Sequence, residues 1–217
     1  MKKFVLVLVT VLLLVLALVV LFIPPNPPDS YSDRTPILLD VQINTIPDAY
    51  EFSVNRINEW GVKAAKLQRI EVFFEESQIE SQRGTIAYIF FADNGQDNYL
   101  AEITVTLDME ISTSTSFDVW YDSRTSSKRN KDGGLEGWST IEALDMSQWT
   151  LTLDELFAIV YEYSPNVFSR YENPEVSLSC ASDCWTLAVN EKGSPALKYG
   201  AGKHYIYINP VTKELMY

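Results

Sequence analysis

The amino terminus is the strongest constraint on this chain. Met1 to Ile23 reads MKKFVLVLVTVLLLVLALVVLFI: two lysines, then an uncharged run from Phe4 to Ile23 interrupted only by Thr10. At 1.5 Å per residue a helix over this run is about 30 Å long, the thickness of a bilayer's hydrocarbon core. Hydrocarbon offers backbone amides no partner, so such a segment satisfies them internally, as a helix. A removed signal peptide has a shorter apolar core and small residues at its cleavage site. Here the run ends in Phe22-Ile23-Pro24-Pro25, and no cysteine near it could carry a lipid. The sequence therefore predicts a signal-anchor transmembrane helix over residues 1–23, held in the lipid bilayer through residues 4–23. Lys2 and Lys3 set the amino terminus on the cytoplasmic side, which leaves a single-pass protein with its C-terminal region extracytoplasmic.

Pro24-Pro25-Asn26-Pro27-Pro28 cannot continue a helix and predicts an extended spacer over residues 24–36. The formal net charge is −12, and the two anchor lysines make the remainder more acidic still. Phosphate backbones select basic surfaces, so nucleic acid is excluded as a partner. An acidic surface serves solubility or a cationic partner.

Beyond the spacer the apolar period alternates between helix and strand. Thr45-Ile46-Pro47-Asp48 is a helix start, with a threonine cap and proline in the first turn. Ile46, Tyr50, Val54 and Ile57 recur at helical spacing until Gly61. The period then changes to two over Leu67–Glu75, Thr85–Ala92 and Tyr99–Leu107, with an Asn94-Gly95 turn between the last two. Phe117–Tyr121 is a further strand, and Ser123–Gly137 (SRTSSKRNKDGGLEG) has no apolar period. A second series begins at the capping box Thr152-Leu153-Asp154-Glu155. Its helix stops at Pro165, and strands follow at Glu175–Cys180, Cys184–Glu191 and Lys203–Asn209. Helix then three strands thus occurs twice. The expected fold class is α+β, a transmembrane helix followed by two helix-plus-antiparallel-meander units, at 37–122 and 151–217, joined by a mobile linker at 123–150.

The C-terminal series resembles the PepSY family of extracytoplasmic domains. The likeness is carried by the helix LTLDELFAIVYEY, the hairpin EVSLSC…CWTLAVNE and the close HYIYINPVTKELMY. That close is similar to the family's strand-then-turn signature, with Asn209 before a Thr-Gly-Glu-type turn; here it is Thr212-Lys213-Glu214, without the glycine. The resemblance covers 152–217, and 45–110 by element order alone. It implies a non-catalytic module that binds or restrains a peptidase or another envelope protein.

Chemistry-bearing residues are sparse. Cys180 and Cys184 are the two cysteines. Given the inferred compartment, a disulfide across a tight Ala181-Ser182-Asp183 turn is the expected state. A redox-active pair is the alternative, and a structural metal would need about four ligands. His204, the single histidine, lies in the alternating run Lys203–Ile208. No nucleophile-elbow, zincin, phosphate-loop or dinucleotide motif occurs, so no catalytic residue, metal or cofactor is assigned. Glu75-Glu76 is a polar strand end, and the acidic turn at Asp93 lacks the calcium-loop frame. Trp60, Trp120, Trp138, Trp149 and Trp185 belong to the core or line a carbohydrate or peptide groove. The function these readings support is binding or regulation of a protein or peptide partner at the cell envelope, through an exposed edge strand. The rivals are a hydrolase with paired carboxylates in a cleft between the units and a structural subunit of a membrane complex.

Overall fold

Alternating strands bury one side chain in two, and here the buried halves line up across the whole molecule. The computed structural model describes residues 29–40, 42–62, 65–93, 95, 99–121, 129, 131, 134–135, 138, 142–146, 151–181, 184–191, 204–209 and 211–216. In chain order its strands are β1 (Tyr31–Asp33), β2 (Ile37–Leu38), β3 (Lys66–Phe74), β4 (Thr85–Ala92), β5 (Ala101–Asp108), β6 (Thr113–Tyr121), β7 (Pro174–Ala181), β8 (Cys184–Glu191) and β9 (His204–Ile208). The helices are α1 (Ile46–Glu59), α2 (Glu76–Ile79) and α3 (Leu153–Tyr163), with a 3₁₀ turn at Phe168–Arg170.

The expectation of two separate helix-plus-meander units is corrected. All nine strands form one antiparallel sheet, ordered β1-β6-β5-β4-β3-β7-β8-β9, with β2 also on the outer edge of β6. The join is the β3–β7 ladder, which runs from Arg69–Ala181 to Phe74–Val176. Those two strands are the first after each long helix, so the meanders meet through their opening strands and share one core. A single buried row crosses the sheet through Phe117, Val105, Tyr88, Ile70, Cys180, Trp185 and Ile208. Residues of α1 (Ile46, Ala49, Ile57) and α3 (Leu153, Leu156, Phe157, Val160) belong to the same apolar cluster, so both helices cover this face. The next row, Ser116, Thr106, Ala87, Glu71, Ser179, Thr186 and Tyr207, lies on the opposite face, as a period of two requires; there Glu71 and Tyr207 are exposed and Ser116 is buried.

The single-pass, membrane-anchored placement is corrected as well. No helix among the described residues is long and apolar enough to cross a membrane. Residues 1–23, on which that placement rested, lie outside the described residues, as do residues 24–28 of the expected spacer.

Local chemistry explains where the elements begin and stop. In α1 the Asp48 carboxylate accepts from the backbone N–H groups of Asn44 and Thr45 at 2.9 and 2.7 Å. Gly61 ends it at φ +93°, a conformation without strain only for glycine. In α3 the Thr152 hydroxyl accepts from the Glu155 N–H at 3.2 Å, and the Glu155 carboxylate accepts from the Thr152 N–H at 3.0 Å. A side chain on Gly84, at the head of β4, would collide with the Phe73 carbonyl oxygen of the adjacent strand. The stretch 29–36 supplies β1, which Arg56 of α1 holds by an ion pair to Asp33 at 2.9 Å while its guanidinium lies 5.3 Å from the Phe117 ring centre.

The stretch between the meanders makes specific contacts where it is described. Leu135 and Leu144 are buried, the Leu144 N–H donates to the Leu67 carbonyl at 2.8 Å, and Lys66 donates to the Trp138 carbonyl at 2.8 Å. Arg129 forms two bonds to the Asp93 carboxylate, at 2.9 and 3.2 Å.

Candidate functional site

A concavity lies at the end of the β3–β7 ladder, where the two meanders meet. After β3 the chain turns at once into the single turn of α2, whose cap is the Glu75–Gln78 pair: the Gln78 side-chain oxygen accepts from the Glu75 N–H at 3.0 Å. After α3 the Ser164 N–H closes on the Val160 carbonyl at 2.8 Å, and Pro165 cannot extend the helix. The chain then folds into the 3₁₀ turn at 168–170 before entering β7 at Pro174. Between these two corners is a cleft of about 460 Å³.

Its walls differ in character. One is α2 and the residue that caps it, which contribute Ile79 and two exposed carboxylates, Glu76 in the helix and Glu80 at its end, four residues apart. The other is aromatic: Tyr161 of α3, Phe168 and Tyr171. Tyr161 meets Phe168 edge to face with centroids 5.2 Å apart, and Phe157 beneath them lies 5.8 Å from Phe168. Phe157 in turn meets Phe74 at 5.3 Å, so the aromatic wall is continuous with the core. Ser169 supplies a hydroxyl at the rim and Pro174 an apolar floor.

A second cavity, of about 270 Å³, lies between the amino ends of α1 and α3 and includes Arg83. Its helix-end donors face carboxylates of their own chain, Asp48 and Glu155, which answer the positive ends of both helices. Bonds from Lys213 at 2.6 Å and from the Thr152 N–H hold the Glu155 carboxyl below the ordinary glutamate range. The cavity is thus already neutralised from within.

No protein-family model, curated protein or solved structure matches this chain. The site must therefore be judged on its own geometry.

The residues singled out from the sequence do not converge. The expected Cys180–Cys184 disulfide is corrected: the two cysteines are not joined. The register gives the reason. Ala181 pairs with Cys184, whereas Cys180 pairs with Trp185. Cys180 therefore belongs to the buried row, and Cys184 points to the opposite face, where no disulfide can reach. His204 opens β9, where it pairs with Val189 of β8, itself the partner of Val176 on β7. Trp185 is in the core, Trp60 packs against Phe117 at 5.9 Å, Trp138 lies over Lys66, and Trp120 stands exposed near the opposite edge; none lines the cleft. Trp149 lies outside the described residues.

Asp93, considered as a metal ligand, is engaged by protein groups. Burial opposes its charge, but bonds from Arg129 and from the N–H groups of Gly95 and Leu135 outweigh burial and hold its carboxyl below the usual range. Burial pushes the Tyr88 phenol well above its ordinary value, and its hydroxyl donates to the Ile46 carbonyl, a structural role under α1.

The sequence reading missed Glu76, Glu80 and the Tyr161-Phe168-Tyr171 cluster. Glu76 was noticed only as a strand end. The available signal was the pair of acids spaced Glu-x-x-x-Glu directly after a strand, but the aromatics that share their cleft arrive from residues 161–171, a separation no local pattern spans.

Proposed function

We propose that this chain is a non-catalytic binding module that takes a segment of a peptide or protein partner in the cleft between α2, α3 and the start of β7. The observation that carries this is the cleft's construction: a concavity with three aromatic side chains in its lining, large enough for one or two side chains of a partner. Pairing with an edge strand is a weaker basis. One outer edge offers β1 and β2, of 3 and 2 residues. The other, β9, is partly covered by its own tail, where the Met216 N–H donates to the Tyr207 carbonyl at 2.9 Å.

The likeness to PepSY domains supports the same reading, since α3, the 3₁₀ turn and β7 all lie in the PepSY-like stretch and line the cleft. Lys213, which stands where the family has glycine, has φ +62°, the left-handed region glycine favours. On that resemblance the partner is a peptidase or another protein that the module binds or restrains. The hydrolase reading fares worse on geometry. Paired carboxylates must flank a scissile bond from opposite sides, whereas Glu76 and Glu80 stand one turn apart on a single wall and both face solvent.

Selection of a random peptide library on the full chain tests the proposal. The selected peptides are titrated calorimetrically against the chain and against Ser169→Trp, which fills the cleft from its rim. Binding confined to the unfilled cleft is the expected result. Peptides that bind both proteins equally well would overturn it.

A further inference from the structure

We infer that the side chain this cleft admits is a cation, an arginine in preference to a lysine, supplied by a basic segment of the partner; this rests on the binding reading above. Glu76 and Glu80 repel one another across one helical turn, an arrangement that is unfavourable unless a positive charge lies between them. No ion pair engages either among the described residues. The cations adjacent in sequence do not line the cleft: Arg83 donates to the Asn44 side-chain oxygen at 3.1 Å and the Met109 carbonyl at 3.4 Å, and Arg170 lies outside the lining.

Tyr161 and Tyr171 line the same cleft as the two carboxylates, together with Ile79 and Pro174. A guanidinium entering this cleft meets carboxylate oxygens and aromatic rings, while its methylene stem covers the apolar floor. Arginine's planar fork suits both walls at once, whereas lysine presents a compact, strongly hydrated point charge. The chain's net charge of −12 draws such a segment in from a distance.

The probes are capped pentapeptides identical except at the central residue, which is arginine, lysine, norleucine or glutamate. They are titrated into the isotope-labelled full chain, with the amide signals of Ile79, Ser169 and Tyr171 as the readout. The arginine peptide is expected to bind about tenfold more tightly than the norleucine peptide, lysine to fall between, and glutamate to leave the signals unmoved. Raising the salt should weaken arginine binding and spare norleucine. Glu76→Gln with Glu80→Gln, exposed and nearly isosteric changes, should bring arginine down to the norleucine level. If norleucine binds as tightly as arginine and Ser169→Trp blocks both, the cation inference falls and the binding reading stands. If no peptide moves these signals, or Ser169→Trp leaves binding unchanged, both fall.

Discussion

Leu178 lies in the ladder that joins the two meanders, opposite Val72 on β3 and Leu187 on β8, with no exposed surface. Replacing it by alanine removes buried methyl groups from a strand hydrogen-bonded on both sides. The neighbouring backbones cannot close on the void, so the cost falls in the middle of the range for such changes, about 3 kcal/mol. A domain of this kind is stable by roughly 5–15 kcal/mol, so the loss is a large share of the total. At about 1.4 kcal/mol per decade it accelerates exchange of the best-protected amides on the order of a hundredfold. The location of that acceleration is the decisive observable. If the sheet is one cooperative body, peptides from β4 and β5 gain the same factor as peptides from β8, although the mutation lies in the other meander. Hydrogen–deuterium exchange read by mass spectrometry measures both regions in one experiment. Faster exchange in β8 and β9 with β4 to β6 unchanged would refute the reasoning and restore two separately stable units.

Three further outcomes follow from individual contacts. Because the Asp93 carboxyl is held below its ordinary value, its stabilising contribution is complete above about pH 4 and is lost as pH falls through the folded value. Arg129→Ala should cost about 2 kcal/mol at neutral pH and shrink that acid loss; denaturant midpoints from pH 2 to 7 read it, and an unaltered acid limb would count against the Arg129–Asp93 pair. Cys184 is half-buried on the face opposite Cys180 and should alkylate in the native chain while Cys180 does so only after unfolding, and reductant should leave the melting temperature unmoved. A fall in melting temperature on reduction would show a disulfide. Lys213→Gly relieves a left-handed φ and forfeits an exposed ion pair to Glu155, which is worth little in water. The expected net change is a small rise in melting temperature, and a fall would mean that the Lys213–Glu155 pair outweighs the backbone relief.

The elements themselves were largely legible, because each is announced by a local signal. The Thr152–Glu155 capping box and Pro165 bracket α3, and the alternation in TIAYIFFA marks β4 to the residue. What local pattern could not supply was the partner of each opening strand. Leu67 to Phe74 and Val176 to Cys180 each alternate in a way that suits a strand paired on one side or on two. Only the distances between segments decide that they pair with each other. A second limit was register. The thiols of Cys180 and Cys184 could face one another only if those two residues paired, and Ala181 pairs with Cys184 instead. One residue of difference moves Cys184 to the opposite face. β1 was obscured for another reason: Tyr31-Ser32-Asp33 is polar because an edge strand held by Arg56 and Asp118 needs no apolar face of its own.

The same division accounts for the cleft. Its position is a consequence of the join between the meanders, since the β3–β7 ladder brings the corner after β3 beside the corner before β7. Neither corner is concave alone. In the sequence Glu76 is a polar strand end, and the helix that carries Tyr161 stops at Pro165, before Phe168 and Tyr171. Antiparallel pairing of two opening strands sets acids from one corner in the same cleft as aromatics of the other. A site of this kind comes into being only with the shared sheet, so a change that separates the meanders, such as Leu178→Ala carried to its unfolding limit, must abolish peptide binding and β3–β7 protection together. Loss of either one without the other would mean that the cleft does not depend on the ladder beneath it.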